Sequence, residues 1–342
     1  MRIASLLSLS FAAAITLSGC KAEPSADVPS NLTILATRSL ATPEFYMISR
    51  LLVTPGGNLV ILDASAPYLT VFDPNRDSMV YQQGETGEGP GELIGPSGLD
   101  IAAAPDSGFW VMEGSRRRWT FFDPAGLRIR SVTFSSKAAA LDAVLLPSGM
   151  IVSGIADGPG SVFAGDTTLD ANLNWLGVAP YRKADFPDVR LFDGNRARLA
   201  VDPSRQRIAI AFRYAPEIQV VSAQGELLHR WHRPGGIGEP RTAYPGSQSP
   251  TFSSDSSDHA YHAVAAWEGG VVAAYCGCQG HQRMSLDSMW IDAFTWEDGY
   301  LGSFRAPGPI RAMAINPGGS KLYLALNSPE PTILELEPAR LR

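Results

Sequence analysis

Cysteine is scarce in this 342-residue sequence, three residues in all, and only 18% of the chain is charged. So few thiols exclude a small disulfide scaffold, whose cysteine content runs far higher. Clustered positive charge is missing too. Lys and Arg number 28 against 34 Asp and Glu, a formal balance of −6, and nothing resembles the basic footprint of a nucleic-acid binder. After the N-terminal segment, no apolar run approaches the roughly 20 residues that a membrane-spanning helix needs. Nor does any later segment keep a 3.6-residue apolar period between breakers beyond a few turns, which sets helical architectures aside. Punctuation is what the chain has in quantity: 33 Gly and 26 Pro, a balance that suits many short buried strands joined by turns.

Two stretches lie over each other fifty positions apart without a gap. Pro55-Gly56-Gly57-Asn58, the apolar run 59–62 and Leu69-Thr70-Val71-Phe72-Asp73-Pro74 match Pro105-Asp106-Ser107-Gly108, the run 109–112 and Trp119-Thr120-Phe121-Phe122-Asp123-Pro124. A repeat of this period, made of short strands between turn signals, predicts a propeller blade. Units of the same kind begin at residues 48, 99, 141, 198, 261 and 310. The third is stretched by an insertion around 157–166 and the fifth by a Cys-bearing insertion. The sixth has three strands of its own, and residues 32–37 supply the fourth, which closes the ring and leaves no open sheet edge. The expected fold is an all-β, six-bladed β-propeller of four-stranded antiparallel blades over residues 31–342, closed by the N-terminal strand. Residues 233–259, crowded with Pro, Gly, Ser and Thr, read as a long functional or mobile loop.

Residues 1–19, with Arg2 and an apolar run through Leu17, read as a signal peptide. Leu17-Ser18-Gly19-Cys20 resembles the lipobox of bacterial lipoproteins. That resemblance implies an acylated Cys20, a flexible tether over 20–30 and a membrane-held protein; ordinary secretion is the alternative. Lys21, standing where Asp would argue otherwise, implies the outer membrane, facing periplasm or cell surface. Gly87-Glu88-Gly89-Pro90-Gly91-Glu92-Leu93, leading through Pro96-Ser97-Gly98 into residue 99, resembles the inter-blade segment of NHL-type six-bladed propellers. The segment 113–123 is similar to that family's hairpin, with Arg118 at its arginine; Tyr68 and Glu217 hold the same place in the first and fourth units. The family includes binding scaffolds, lactonase-like hydrolases and lyases, so the resemblance implies a fold and leaves the activity to the site. A phosphate-loop reading of the glycines fails, because no lysine follows in P-loop spacing and no βαβ context exists.

Aligned on the turn after each inner strand, the units place Arg50, Asp100, Asp142, Arg198, His262 and Arg311 at nearly one level. Side chains there are expected to converge at the channel mouth. Arginine forks suit carboxylate or phosphate and aspartates suit amine or hydroxyl, so a small anionic or zwitterionic ligand is one expectation. The other is an Arg–Asp ring that plugs the channel or holds the blades in register. Cys276, Cys278 and His281, preceded by His259 and His262, form a second cluster: a disulfide, a redox pair or a divalent metal site. Arg116-Arg117-Arg118 reads as a solvated hairpin tip or an anion grip, and His229 and His232 point to opposite faces of a strand. A ligand- or protein-binding module is therefore expected first. A metal-dependent lactonase or lyase using Asp100, Asp142 and His262 comes second, although the arginines of the ring would repel its cation. A redox protein using the two thiols is third.

Overall fold

Turn chemistry cuts the chain into strands much as its sequence predicts. The computed structural model describes residues 32–338, except 88–91, 94–98, 105–107, 115, 117, 134–139, 147–148, 155–161, 166–173, 182–194, 239, 244–250, 253–254 and 328–329. The leader, Cys20, the tether and most of the glycine run 87–98 thus lie outside the described residues.

Each blade is an antiparallel meander whose first strand is innermost. Blade I comprises Ile48–Val53, Leu59–Asp63, Leu69–Asp73 and Ser78–Gln83. Blade II comprises Leu99–Ala103, Phe109–Glu113, Arg118–Phe122 and Arg128–Thr133. Blade III follows with Ala140–Leu146, Gly149–Gly154, Val162–Gly165 and Asn174–Leu176. Blade IV is built from Ala197–Val201, Arg207–Phe212, Glu217–Ser222 and Leu227–His232. Blade V has longer strands, Asp258–Trp267, Gly270–Gln279, Ser288–Thr295 and Gly299–Pro307. Ile310–Ile315, Leu322–Leu326 and Thr332–Pro338 form blade VI, and Ile34–Ser39 pairs antiparallel with the last of these. The fold is an all-β propeller with four-stranded antiparallel blades.

The fifty-residue echo survives as register. Arg50 pairs with Leu62 and Leu59 with Phe72 in blade I; Asp100 pairs with Met112 and Phe109 with Phe122 in blade II. The two ionisable side chains are therefore equivalent in three dimensions as well as in sequence. Asp123 shows how such a turn is made. Its carboxylate accepts from the amides of Ala125 (2.9 Å) and Leu127 (2.8 Å), while Gly126 takes φ +84°, which glycine reaches without steric cost.

Middle strands are buried on both faces because each blade is covered by its neighbours. Leu59–Asp63 and Leu322–Leu326 are buried throughout, and outer strands such as Ser78–Gln83 are largely exposed. The core is accordingly a set of clusters between blades. Val60, Leu62, Leu69 and Val71 meet Ile101, Phe109 and Phe122 between I and II, and Ile48, Leu59 and Phe72 meet Tyr323 and Ile333 between VI and I. Burial of that kind stabilises by roughly 25 cal/mol per Å² of apolar surface, which is what holds successive blades face to face.

Three expectations change. Strand Val162–Gly165 occupies part of the segment expected to be an insertion in the third unit. Its sequence, Val-Phe-Ala-Gly, is too short to show a period on its own. The long loop after Arg233 contains a small hairpin, Thr242–Ala243 with Thr251–Phe252. Arg116 and Arg118 do not form a solvated tip, because both turn back onto buried Glu113, while Arg117 lies outside the described residues. Arg118 also donates to the Glu92 carbonyl (3.1 Å), and Tyr68 reaches the same inter-blade segment through Thr86 (2.6 Å). Arg118 of blade II and Tyr68, at the equivalent place in blade I, thus secure one linker from two sides.

Candidate functional site

The inner strands surround an axial channel, and all six residues of the aligned level line it. The cavity measures about 540 Å³ and is otherwise mostly aliphatic, with Leu52, Val144, Val201, Val264 and Met313 among its walls. That volume lies in the range of pockets that take one small molecule.

Charge around the ring is unevenly distributed. Arg50 of blade I meets Asp100 of blade II at 2.8 Å, and Arg198 of blade IV approaches Asp142 of blade III at 3.8 Å. Backbone amides finish the job on the carboxylates: Ile101 N–H donates to Asp100 Oδ1 (2.9 Å) and Leu199 N–H to Asp142 Oδ2 (3.0 Å). Burial, with the neighbouring Asp142 carboxylate adding to it, pushes Asp100 up to about 7 despite Arg50. Burial lowers Arg50, but the two aspartates outweigh that and its pKa rises. Asp100 and Asp142, which the enzyme reading would present to a cation, are thus each already engaged by an arginine.

Blades V and VI contribute His262 and Arg311, and here the balance reverses. Together with Arg198 they line a second cavity of about 320 Å³, whose other walls are Arg196, Ala197, Arg213, Tyr261 and Arg283. Five guanidinium groups therefore face one space whose described lining holds no carboxylate. Burial first, and then repulsion by Arg311, Arg213 and Arg196, lowers Arg283 to about 10; burial, then Arg50, Arg213 and Arg196, depresses Arg311. Arg198 falls to about 9 through burial and Arg50, with Asp142 and Asp100 opposing. The guanidinium groups nonetheless stay charged at neutral pH. His262 is held well below its usual value by burial and by Arg283, Arg213, His259 and Arg198, so its ring is neutral; its Nε2 faces Nδ1 of His259 at 3.2 Å. The Arg311 Nε is buried and meets no hydrogen-bond partner among the described residues.

Three of these arginines were invisible to the repeat alignment. Arg196 stands two residues before Arg198, immediately ahead of the strand Ala197–Val201, and this i, i+2 spacing was the available signal. Arg213 is tied to it by a backbone hydrogen bond, Arg213 N–H to Arg196 O at 2.8 Å. Arg283 comes from the Cys-bearing insertion, where the long second strand of blade V runs into a 3-10 helix, Gly280–Ser285. Cys276 and Cys278 are paired as a disulfide at the base of that excursion, with Cα atoms 5.1 Å apart. His281 does not join the sulfurs: its Nδ1 lies 2.9 Å from the Asp255 carbonyl oxygen. Among the described residues no three His, Cys, Asp or Glu side chains converge as a metal-ligand group. His229 stacks on Trp231 and His232 lies 4.0 Å from Glu217, so the two histidines are separately occupied.

At the opposite end of the channel, Arg205 reaches across from blade IV and donates to the carbonyls of Leu145 (2.8 Å) and Ala103 (3.0 Å). Its backbone φ of +59° is unusual for a side-chain-bearing residue. The turn is held by its amide on the Asp202 carbonyl (2.8 Å). The channel therefore has a cationic mouth, an aliphatic middle and an arginine spanning strand ends at its far side.

No family model matches the chain, and no curated protein matches it. Solved structures do. A member of the DUF4221 family from Bacteroides vulgatus is 12% identical, with 91% of this chain and 98% of that chain covered at a TM-score of 0.59. U3-55K is 11% identical, with 88% and 98% covered at 0.54. The PQQ-bound aldose sugar dehydrogenase from Streptomyces coelicolor is 16% identical, with 91% and 99% covered at 0.50. At such identities the likeness establishes the β-propeller fold and nothing about ligand or reaction.

Proposed function

We propose that this chain is a six-bladed, NHL-like propeller of the cell envelope, closed by its N-terminal strand and anchored to the outer membrane through lipidated Cys20. It acts as a binding module whose axial mouth takes a small anionic ligand. The closed ring is supported by the pairing of Ile34–Ser39 with Thr332–Pro338 and by the contact of the inner strands Ile310–Ile315 and Ile48–Val53. The anchor is supported by Leu17-Ser18-Gly19-Cys20.

The ligand class rests on one observation. Arg50, Asp100, Asp142 and Arg198 offset one another, whereas His262 and Arg311 open onto a lining of further arginines without a described carboxylate. Buried cations without counter-charge are costly, and a bound oxyanion supplies the missing charge through charge-assisted hydrogen bonds. The test is a thermal-shift panel of small carboxylates, phosphates and neutral sugars on the full chain, beside Arg311→Met. Stabilisation of the parent by anions, absent in the variant, is expected; equal responses in both proteins would remove the axial site. Cys20→Ser should move the protein from the membrane to the soluble fraction, and unchanged sedimentation with membranes would remove the anchor.

A further inference from the structure

The two axial cavities are continuous in their lining, since Arg198, His262 and Arg311 belong to both. One side of that shared level is almost wholly guanidinium, the other mostly aliphatic. A simple inorganic anion would use the first and leave the second to water, which an aliphatic wall accommodates poorly. A ligand that fills both must carry charge at one end and hydrocarbon at the other.

We infer that the ligand is a single-chain anionic amphiphile, with a head bearing two negative charges held by Arg196, Arg213, Arg283 and Arg311 and an apolar tail along the channel. This rests on the axial-anion reading and goes beyond it by fixing the charge and polarity of the occupant. Arg196, Arg283 and Arg311 make no ion pair with a described carboxylate, so one negative charge at the head would leave the mouth strongly positive. A monoalkyl phosphate has the required form: a compact head with two charges that accepts from several arginine forks at once. Arg283 is the residue that distinguishes this mouth from an ordinary ring of inner-strand residues. It arrives on the 3-10 helix beyond the Cys276–Cys278 disulfide, which gives the insertion in blade V a purpose at the axis. Val264, two residues beyond His262 on the same strand, lines the aliphatic side.

Calorimetry on the full chain in lipid nanodiscs, against empty nanodiscs, tests the inference with methyl, butyl and hexyl phosphate and with hexyl sulfate as the single-charge control. Burying a methylene is worth about 0.8 kcal/mol, or about fourfold in affinity, so tightening by roughly twofold to fourfold per methylene is expected. Hexyl phosphate should bind at least about tenfold more tightly than hexyl sulfate, since the second charge meets otherwise uncompensated arginines. Arg283→Met should cost hexyl phosphate about tenfold. Val264→Phe should flatten the chain-length series while leaving methyl phosphate within about twofold, because it fills the tail's space and spares the head's. Lysophosphatidic acid offered in vesicles separates the sources. Its depletion by parent but not by Arg283→Met assigns a membrane lipid, and hexyl phosphate binding without depletion assigns a soluble alkyl phosphate; either supports the inference. Methyl and hexyl phosphate binding equally, or sulfate matching phosphate, would overturn it. In that case anion binding lost in Arg311→Met would still leave the simpler axial site standing, and a parent that binds no probe would overturn both.

Discussion

Replacing Arg283 by methionine should make the protein more stable at pH 7 while weakening its hold on anions. The guanidinium of Arg283 sits in the mouth with Arg311, Arg213 and Arg196, and burial together with their charge lowers it from its ordinary value to about 10. At about 1.36 kcal/mol per pH unit that fall corresponds to roughly 3 kcal/mol of unfavourable charge burial. The side chain is partly exposed, and solvent screening reduces the figure to about 1–2 kcal/mol. The sign follows from linkage. Below pH 10 the group is charged in both folded and unfolded states, so the full cost applies at neutral pH and is relieved only as pH rises through 10 toward the group's ordinary value. Methionine keeps the apolar stem and drops the charge. Urea unfolding at pH 7 should show Arg283→Met more stable than parent by about 1–2 kcal/mol at low salt, with the gap narrowing at 1 M salt. A variant that is less stable by about 1 kcal/mol, or a gap indifferent to salt, would show that the arginine is structurally satisfied and refute the reasoning.

Asp100 gives a pH prediction of opposite character. Its folded pKa of about 7 lies above the ordinary 3.8, so folding takes up a proton between those values and this contribution to stability is lost as pH rises from about 4 through 7. Asp100→Asn, which mimics the protonated form, should match parent near pH 4 and exceed it at pH 8 in denaturant unfolding; lower stability at pH 8 would contradict this. Arg233 and Asp292 pair at 2.8 Å with almost no exposure, and Tyr261 donates to the same carboxylate at 3.3 Å. Arg233→Leu leaves that carboxylate buried and should cost about 3–5 kcal/mol by urea unfolding, and a loss under about 1 kcal/mol would show the pair to be dispensable. Removing both Cys276 and Cys278 opens a very short loop, so stability should fall by no more than about 2 kcal/mol. Phosphate affinity should nevertheless fall, because the strand end that leads into the 3-10 helix carrying Arg283 loses its constraint; unchanged affinity would separate the disulfide from the mouth.

How much of this was written in the sequence depends on what the repeat reached. The register that makes Arg50 and Asp100 equivalent comes from two blades of equal length, so a gapless offset found both, and the turn after each inner strand extended the ruler to Asp142, Arg198, His262 and Arg311. Which of them would pair was not readable, because pairing depends on the spatial order of successive blades and on side-chain reach. Arg213 escaped because it stands just after the second strand of blade IV, opposite Arg196 across a hairpin. Arg283 escaped because it stands in an insertion, where no period applies. Val162–Gly165 was passed over for a related reason: four residues with a glycine carry too little pattern to separate a strand from the loop around it. The solvated arginine tip failed because Glu113, which draws Arg116 and Arg118 inward, lies buried at the end of the preceding strand.

The most direct measurement is a crystal of the protein soaked with selenate, read at the selenium absorption edge with methionine sulfur left unlabelled. An oxyanion peak at the axial mouth, within hydrogen-bonding distance of the guanidinium groups of Arg283 and Arg311, is the predicted result. A mouth without a peak, with those two arginines instead closed onto a carboxylate of the protein itself, would contradict the claim that this propeller presents uncompensated positive charge to a ligand.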